Sequence, residues 1–302
     1  MGAYHPGELA VQRRSGLTDQ AAFSEAARRP DIPDVAAGFL AAQPLLVVGA
    51  ADDRGDLWCS LLTGAPGFLR AVDARTLDAA ARPRPGDPLA EPLGRGPAEV
   101  GALAVEPATR RRMRINGTSR PHGEGLRITT RQVYSNCPKY LQKRDLEPAP
   151  AGPGTTSRSE LLSPEQRKIL ERADTFFVAT ADDTGAADAN HRGGNPGFLR
   201  VHAPDLLSWP DYRGNAMFNT LGNLELQPRA GLLVPEWRTG RLLQITGTAR
   251  VLWDDDTRER TVEFRVGRVL DTPAAGPLSP GEPRYSRFNP PVPPAAPTGE
   301  RA

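Results

Sequence analysis

Two stretches in the second half of the chain carry side chains whose types and spacing suit the capture of an anion. Asn190-His-Arg-Gly-Gly-Asn195 sets the guanidinium of Arg192 beside Gly193 and Gly194, with Asn195 next to them. Flexible glycine backbone of this kind can turn its amides toward a phosphate while the guanidinium supplies charge-assisted hydrogen bonds. Asp211-Tyr-Arg-Gly-Asn-Ala-Met-Phe-Asn-Thr-Leu-Gly-Asn223 adds Arg213, Asn215, Asn219, Thr220 and Asn223, a run of donors without the alternating charge of a solvated helix face. Asn219 and Asn223 are four apart and share one helical face, and donors at a helix start hold a phosphate together with the unpaired helix amides. Each stretch also has a plain structural reading: a glycine turn beside a surface arginine, or an N-cap followed by loop-stabilising asparagines.

Other chemistries lack their residues. There is no GxGxxG after a strand, no GxxxxGK[ST], no GxSxG and no HExxH, which removes Rossmann, P-loop, serine-hydrolase and zincin readings. His191 and His202 are too far apart in sequence for a local ligand pair, so no metal site is expected. Cys59 and Cys137 show no CxxC or Cys/His spacing and read as reduced structural thiols. Arg110-Arg-Arg112 reads as a solvated hairpin turn. The net charge is +2 with acidic and basic residues interspersed, which gives no footprint for nucleic acid or an anionic membrane. No apolar stretch reaches the 18 or so residues of a membrane helix, and Met1 to Arg14 lacks a signal-peptide core, so a cytoplasmic location is expected.

The elements that must position these residues are set by an internal repeat. Shifting the chain by 130 residues pairs Val48 to Arg70 with Val178 to Arg200 at 11 identities in 23 positions, and Gly101 to Arg120 with Gly231 to Arg250 at 9 in 20. This is a tandem duplication rather than an array of short repeats. The copies diverge where chemistry would sit: Ser60-Leu-Leu-Thr-Gly-Ala65 stands against Asn190 to Asn195, and Ala81 to Gly96 keeps none of the donors of the 211–223 stretch. One competent and one degenerate half is the expectation.

Each copy reads mostly as strand. Pro44 to Ala50 and Thr175 to Ala181 run into Asp-Asp-x-Gly turns, and Gly231 to Pro235 with Arg241 to Val251 form a hairpin that Gly101 to Val105 and Arg111 to Thr118 repeat. Helices are expected at Asp19–Arg29, Asp34–Gln43, Ser163–Ala173, where Ser163, Pro164 and Gln166 make a capping box, and Met217–Gln227. The pattern predicts a mainly β (α+β) chain of tandem duplicated antiparallel barrels with a few covering helices. The expected divisions are a degenerate first barrel with a helical lead-in over 1–146, a proline-rich linker at 147–156, a second barrel over 157–289 and a disordered tail at 290–302.

Taken in order, His5 to Gln12, Asn136 to Tyr140, His191 to Phe198, Arg213 to Asn215, Asn219 to Asn223 and Gln244 to Gly247 make the chain resemble the pyridoxamine 5'-phosphate oxidase-like FMN-binding split-barrel family, in particular its two-domain bacterial members. The resemblance implies six-stranded split barrels with FMN bound between two of them, so that the duplication forms a pseudo-dimer within one chain and leaves a further homodimer open. It carries over Arg192, Gly193, Asn195, Arg213, Asn215, Asn219, Thr220 and Asn223 as the phosphate and ribityl side of the cofactor site, and Gln244 as its ring side. It places Asn136, Cys137 and Lys139 within possible reach of the flavin across the pseudo-dimer interface, though a structural turn suits them better. The C-terminal Arg-Leu-x-Pro element of the vitamin oxidases is absent, and Arg284 to Pro291 stands there instead. The expected function is therefore an FMN-dependent oxidoreductase with a small-molecule electron donor and acceptor but no assigned substrate and no protein nucleophile. A deazaflavin-dependent reductase and a non-enzymatic flavin or haem carrier or sensor are the alternatives.

Overall fold

The Asp-Asp-x-Gly turns shape both halves in the same way. Asp52 Oδ1 accepts the amides of Arg54 and Asp56, and Asp182 Oδ1 accepts those of Thr184 and Ala186, so a carboxylate replaces the missing backbone partners and reverses the chain. In the computed structural model, which describes residues 4–135, 138–148 and 155–292, these turns join the first two strands of each of two antiparallel sheets.

In chain order the first half has α1 (Pro6–Ser15), α2 (Thr18–Glu25), α3 (Asp34–Ala41), β1 (Leu45–Ala51), β2 (Leu57–Thr63), β3 (Leu69–Asp73), β4 (Thr76–Ala79), α4 (Ala90–Arg95), β5 (Ala98–Glu106), β6 (Arg111–His122) and β7 (Gly125–Ser135). The second has β8 (Ser157–Ser159), α5 (Pro164–Arg172), β9 (Thr175–Ala181), β10 (Ala187–Gly193), β11 (Arg200–Ala203), β12 (Leu206–Pro210), α6 (Asn219–Leu226), β13 (Arg229–Glu236), β14 (Arg241–Trp253) and β15 (Arg260–Thr272). The strand orders β2-β1-β5-β6-β7-β4-β3 and β10-β9-β13-β14-β15-β12-β11 are the same path twice, with β8 added on β15. The chain is thus mainly β, a tandem pair of split barrels, each strand path being seven long rather than the six expected. Each sheet wraps its own core, around Leu46, Trp58 and Ile115 in the first half and Phe176, Trp209 and Phe264 in the second.

A third apolar cluster joins the halves, drawing Val47, Leu61 and Leu103 from one and Phe177, Ala189 and Leu233 from the other. Glycines let the two backbones meet there. A Cβ on Gly101 would collide with the backbone of Asp188 and Ala189, and one on Gly231 with that of Leu57 and Trp58. Gly101 and Gly231, like Trp58 and Asp188, lie 130 residues apart, so the contact is made twice with the roles exchanged, which is the signature of a pseudo-two-fold. Gly49 faces its own repeat mate Ala179, which puts that pair at the axis.

The capping box at Ser163 and Gln166 is present, and the expected helices stop one to four residues earlier at their C-terminal ends. Two elements differ. The lead-in starts earlier, with α1 capped by His5, whose Nδ1 accepts the Glu8 amide while Glu8 Oε2 accepts the His5 amide. A short α4 forms in the Pro/Gly-rich stretch. The expected 147–156 linker lies partly outside the described residues, and its Glu147 end bridges Leu278. Of the tail expected from 290, Pro290 to Val292 lie against the second barrel, where the Pro290 carbonyl accepts from Asn195 and Val292 packs on the core; residues 293–302 lie outside the described residues.

Candidate functional site

At one end of the seam, β6 of the first half faces β10 and α6 of the second across a polar pocket. Alternation along β6 turns Arg112, Arg114 and Asn116 to the same side, toward the partner barrel. Arg112 Nη1 reaches His191 Nδ1 at 2.6 Å. Arg114 donates from Nε to Asp188 Oδ1 at 2.9 Å, pairs with the other carboxylate oxygen, and donates from Nη2 to Asn219 Oδ1 at 3.2 Å. Asn116 donates to the same Asp188. Arg114 and Asp188 are almost fully buried, and each is the other's counter-charge.

The N-terminal helices hold the opposite wall. Gly7 of α1 and Gly222 of α6 lie so close that a Cβ on either would strike backbone of the other helix. At this crossing buried Glu8 accepts from Arg28 Nη1 at 2.9 Å and from Asn219 Nδ2 at 3.2 Å. Gln12, Gln20 and Ser24 donate to the carbonyls of Met217, Gly214 and Asn215. Tyr140 Oη donates to that of Arg213 at 3.0 Å. The 213–218 loop is thereby pinned in a conformation with Ala216 and Phe218 at φ of 61° and 57°, a left-handed region that costs non-glycine residues energy.

Five basic side chains line the pocket, Arg112, Arg114, Lys139, Arg192 and Arg213, against a single acid among the described residues, Asp211. Asp211 is already neutralised: Arg192 Nη1 lies 2.7 Å and Arg260 Nε 3.0 Å from its two oxygens. The wall also includes Asn219 and Thr220 of the first turn of α6, where unpaired helix amides favour an anion. The enclosed space is about 90 Å³, some three water volumes, enough for a phosphate group. An adjoining cavity of about 760 Å³ shares Tyr140, Phe198, Tyr212 and Arg213 with it and falls in the range of roughly 300 to 1,000 Å³ typical of cofactor sites. Between the two stand Tyr140, at φ 64°, and Tyr212, their ring centroids 5.0 Å apart.

The structure brings together Arg192, Gly193, Arg213, Asn215, Asn219 and Thr220 in this pocket. Three residues expected with them lie elsewhere. Asn195 binds the Pro290 carbonyl and Asn289, bracing the C-terminal segment. Asn223 is buried and donates to Thr180 Oγ1 at 2.9 Å, fastening α6 to β9. Gln244 sits on the far side of the pseudo-two-fold, donating to the Cys59 carbonyl, Ser60 Oγ and Asp87 Oδ2. Its repeat mate, 130 residues earlier, is Arg114, and that residue faces the pocket. Gly193 serves packing, since a Cβ there would strike the Tyr140 carbonyl. Gly194 makes room for the Phe198 ring as Gly64 does for Phe68.

Arg112 corrects the reading of Arg110 to Arg112 as a solvated turn: Arg110 turns the chain at φ 61°, but Arg112 is buried against His191. A signal existed in the repeat, because Arg112 stands where the second copy has Leu242, and His191 where the first has Leu61. Lys139 lines the pocket; Asn136 and Cys137 lie outside the described residues.

Residues 162–285 match the family model described as pyridoxamine 5'-phosphate oxidase. Over that segment the chain is similar to the pyridoxamine 5'-phosphate oxidase family. The matched segment contains β10, the 213–218 loop and α6, whereas Arg112, Arg114, Lys139 and Tyr140 come from the half that the family model leaves unmatched. Among solved structures the chain is similar to HupZ of Group A Streptococcus (13% identity, TM-score 0.31, 37% of this chain and 99% of that one). It is also similar to an F420 reductase (14%, 0.27, 33% and 91%), and to HutZ, a haem storage protein of Vibrio cholerae (12%, 0.28, 37% and 95%). No curated protein matches it.

Proposed function

We propose that the chain is an FMN-dependent oxidoreductase whose cofactor phosphate binds in the seam pocket. The observation that carries this reading is the convergence of five basic side chains from both halves on the start of α6, with Asp211, their one acidic neighbour in the wall, already paired. The donor set fits a phosphate monoester, and the buried Arg192 Nε has no partner among the described residues. Arg192, Arg213 and Thr220 would hold the phosphate end, and the larger cavity beside Tyr212 is the space available to the ring. Bound flavin would supply hydride and electron transfer, and the protein's part is to bind it, orient it and exclude water. Its partners are then a small-molecule electron donor and acceptor. A cytoplasmic location suits such a role, and no helix among the described residues is long and apolar enough to cross a membrane.

The test is a visible absorption spectrum of the purified protein before and after FMN is added, followed by titration of Arg192→Ala. A charge-assisted hydrogen bond of this kind contributes about 1.5 to 3 kcal/mol, so the variant should bind FMN roughly 10- to 100-fold more weakly. A colourless protein that ignores FMN sinks the proposal. Reduction of the bound flavin by NAD(P)H with turnover on an acceptor separates an enzyme from a carrier, and preference for a deazaflavin would change the cofactor but keep the pocket.

A further inference from the structure

His191 stands where the first copy carries an apolar residue, its repeat mate Leu61. It lies on β10, 4% exposed, with its ring edge-on to Phe177 at 5.8 Å, and it lines the seam pocket. Arg112 Nη1 stands 2.6 Å from its Nδ1. A guanidinium has donors and no acceptor, so Nδ1 must be the acceptor in this contact and carries no proton. A neutral ring then holds its proton on Nε2. Burial, and after it the positive charges of Arg112 on β6, Arg192 on β10 and Arg144 in the 138–148 segment, push its pKa well below 6.5. The nearby carboxylates do not offset this, since Asp174 pairs with Arg144, Asp188 with Arg114 and Asp211 with Arg192 and Arg260. Nε2 is buried and has no hydrogen-bond acceptor among the described residues. A buried donor left without an acceptor is destabilising in a protein that gains nothing from it.

We propose that His191 reads the ligand: Arg112 fixes the ring in its Nε2–H tautomer, which reserves that proton for an acceptor atom of the bound cofactor and denies the pocket an imidazole lone pair for iron. The role rests on the flavin reading of the pocket, but the tautomer does not. A haem-iron bond through Nε2 would need the proton moved to Nδ1, against the donor of Arg112. The same arrangement that suits a cofactor rich in oxygen and nitrogen acceptors thus selects against a porphyrin held by this residue.

Three measurements on the full chain test the proposal. Long-range ¹⁵N–¹H spectra of histidine-labelled protein should show Nε2–H as the protonated nitrogen at pH 7 and still at pH 6; a proton on Nδ1, or titration near 6.5, overturns it. FMN titration should give about tenfold weaker binding for His191→Leu, the residue the first barrel carries at this place. For His191→Gln, whose amide keeps a donor, it should give affinity within a few-fold of the parent. Melting curves check that both variants fold. Equal affinity in His191→Leu removes the ligand role while leaving the flavin site standing, whereas a parent protein that does not take FMN removes both. Haemin titration should give no absorption change that depends on His191, and a Soret shift lost in His191→Leu overturns the selection against iron.

Discussion

The buried Arg114–Asp188 pair joins the two halves by charge at the pocket floor. Removing one member leaves the other ionised away from water, which costs about 3 to 5 kcal/mol. Arg114→Ala is expected to lower the unfolding free energy by that order in chemical denaturation and to loosen Asn219, which shares its guanidinium. His191 sets a pH dependence of definite sign. Its folded pKa is depressed, so below the unfolded value near 6.5 the unfolded chain binds a proton that the folded ring refuses, and stability falls as pH falls. The slope from this one group is about 1.4 kcal/mol per pH unit until the folded ring itself protonates. Denaturation at pH 7.5 and 5.5 should show a larger loss for the parent than for His191→Leu, and equal losses would mean the ring is not held neutral. At this scale the charged side chains Arg192 and Arg213 were legible by type alone, as guanidinium groups set beside glycine and asparagine, and both line the pocket. His191 and Arg112 were not, because each gains its role only from the other across 79 residues of sequence.

Among the elements, the crossing of α1 on α6 positions the pocket wall. Glycine at both contact points lets the helices approach to backbone distance, and Glu8 links α1 to Asn219 there. Gly222→Ala would push its Cβ into Glu8, and overpacking of this kind costs about 1 to 3 kcal/mol. A lower melting temperature together with weaker FMN binding is expected, and a variant that melts like the parent would show that the helices can part without cost. The α1 helix is hard to read from sequence because its inward face is Gly7, Glu8, Gln12 and Ser15 with only Val11 apolar, so no hydrophobic period announces it. The α5 helix is the opposite case, announced by its capping box at Ser163 and Gln166. Strand ends and turns were legible for a local reason: Asp-Asp-x-Gly closes its own hydrogen bonds.

For the whole molecule, the pseudo-two-fold creates two seam sites and the sequence of each half decides their fate. The pocket end has Arg112, Arg114, His191 and Arg192, and the matching positions at the other end are Leu242, Gln244, Leu61 and Leu62. There Ser60 Oγ donates to Asp87 Oδ1 at 2.5 Å and Gln244 to Oδ2 at 3.0 Å, so a carboxylate fills the place, its pKa raised by burial. None of those four positions carries a basic side chain and Asp87 adds an acid, so that end lacks the cationic donors that face the pocket at the other. Calorimetric titration should therefore give one FMN per chain, and a stoichiometry of two would show that the second site opens.

The sequence by itself determined the duplicated, mainly β architecture, the half in which the copies diverge toward polar residues and the basic and amide side-chain types of its loops. Those properties reside in local turn residues, in a fixed 130-residue register and in side-chain types, all of which survive without knowledge of contacts. Only the tertiary structure decided which residues share the pocket. It moved Gln244 to the far seam and put its mate Arg114 in the near one, and it drew Glu8, Arg112 and Tyr140 from the first half. The physical reason is that alternation along a strand fixes which side chains share a face, while the barrel that covers that face is chosen by packing at Gly49, Gly101 and Gly231, where two backbones meet.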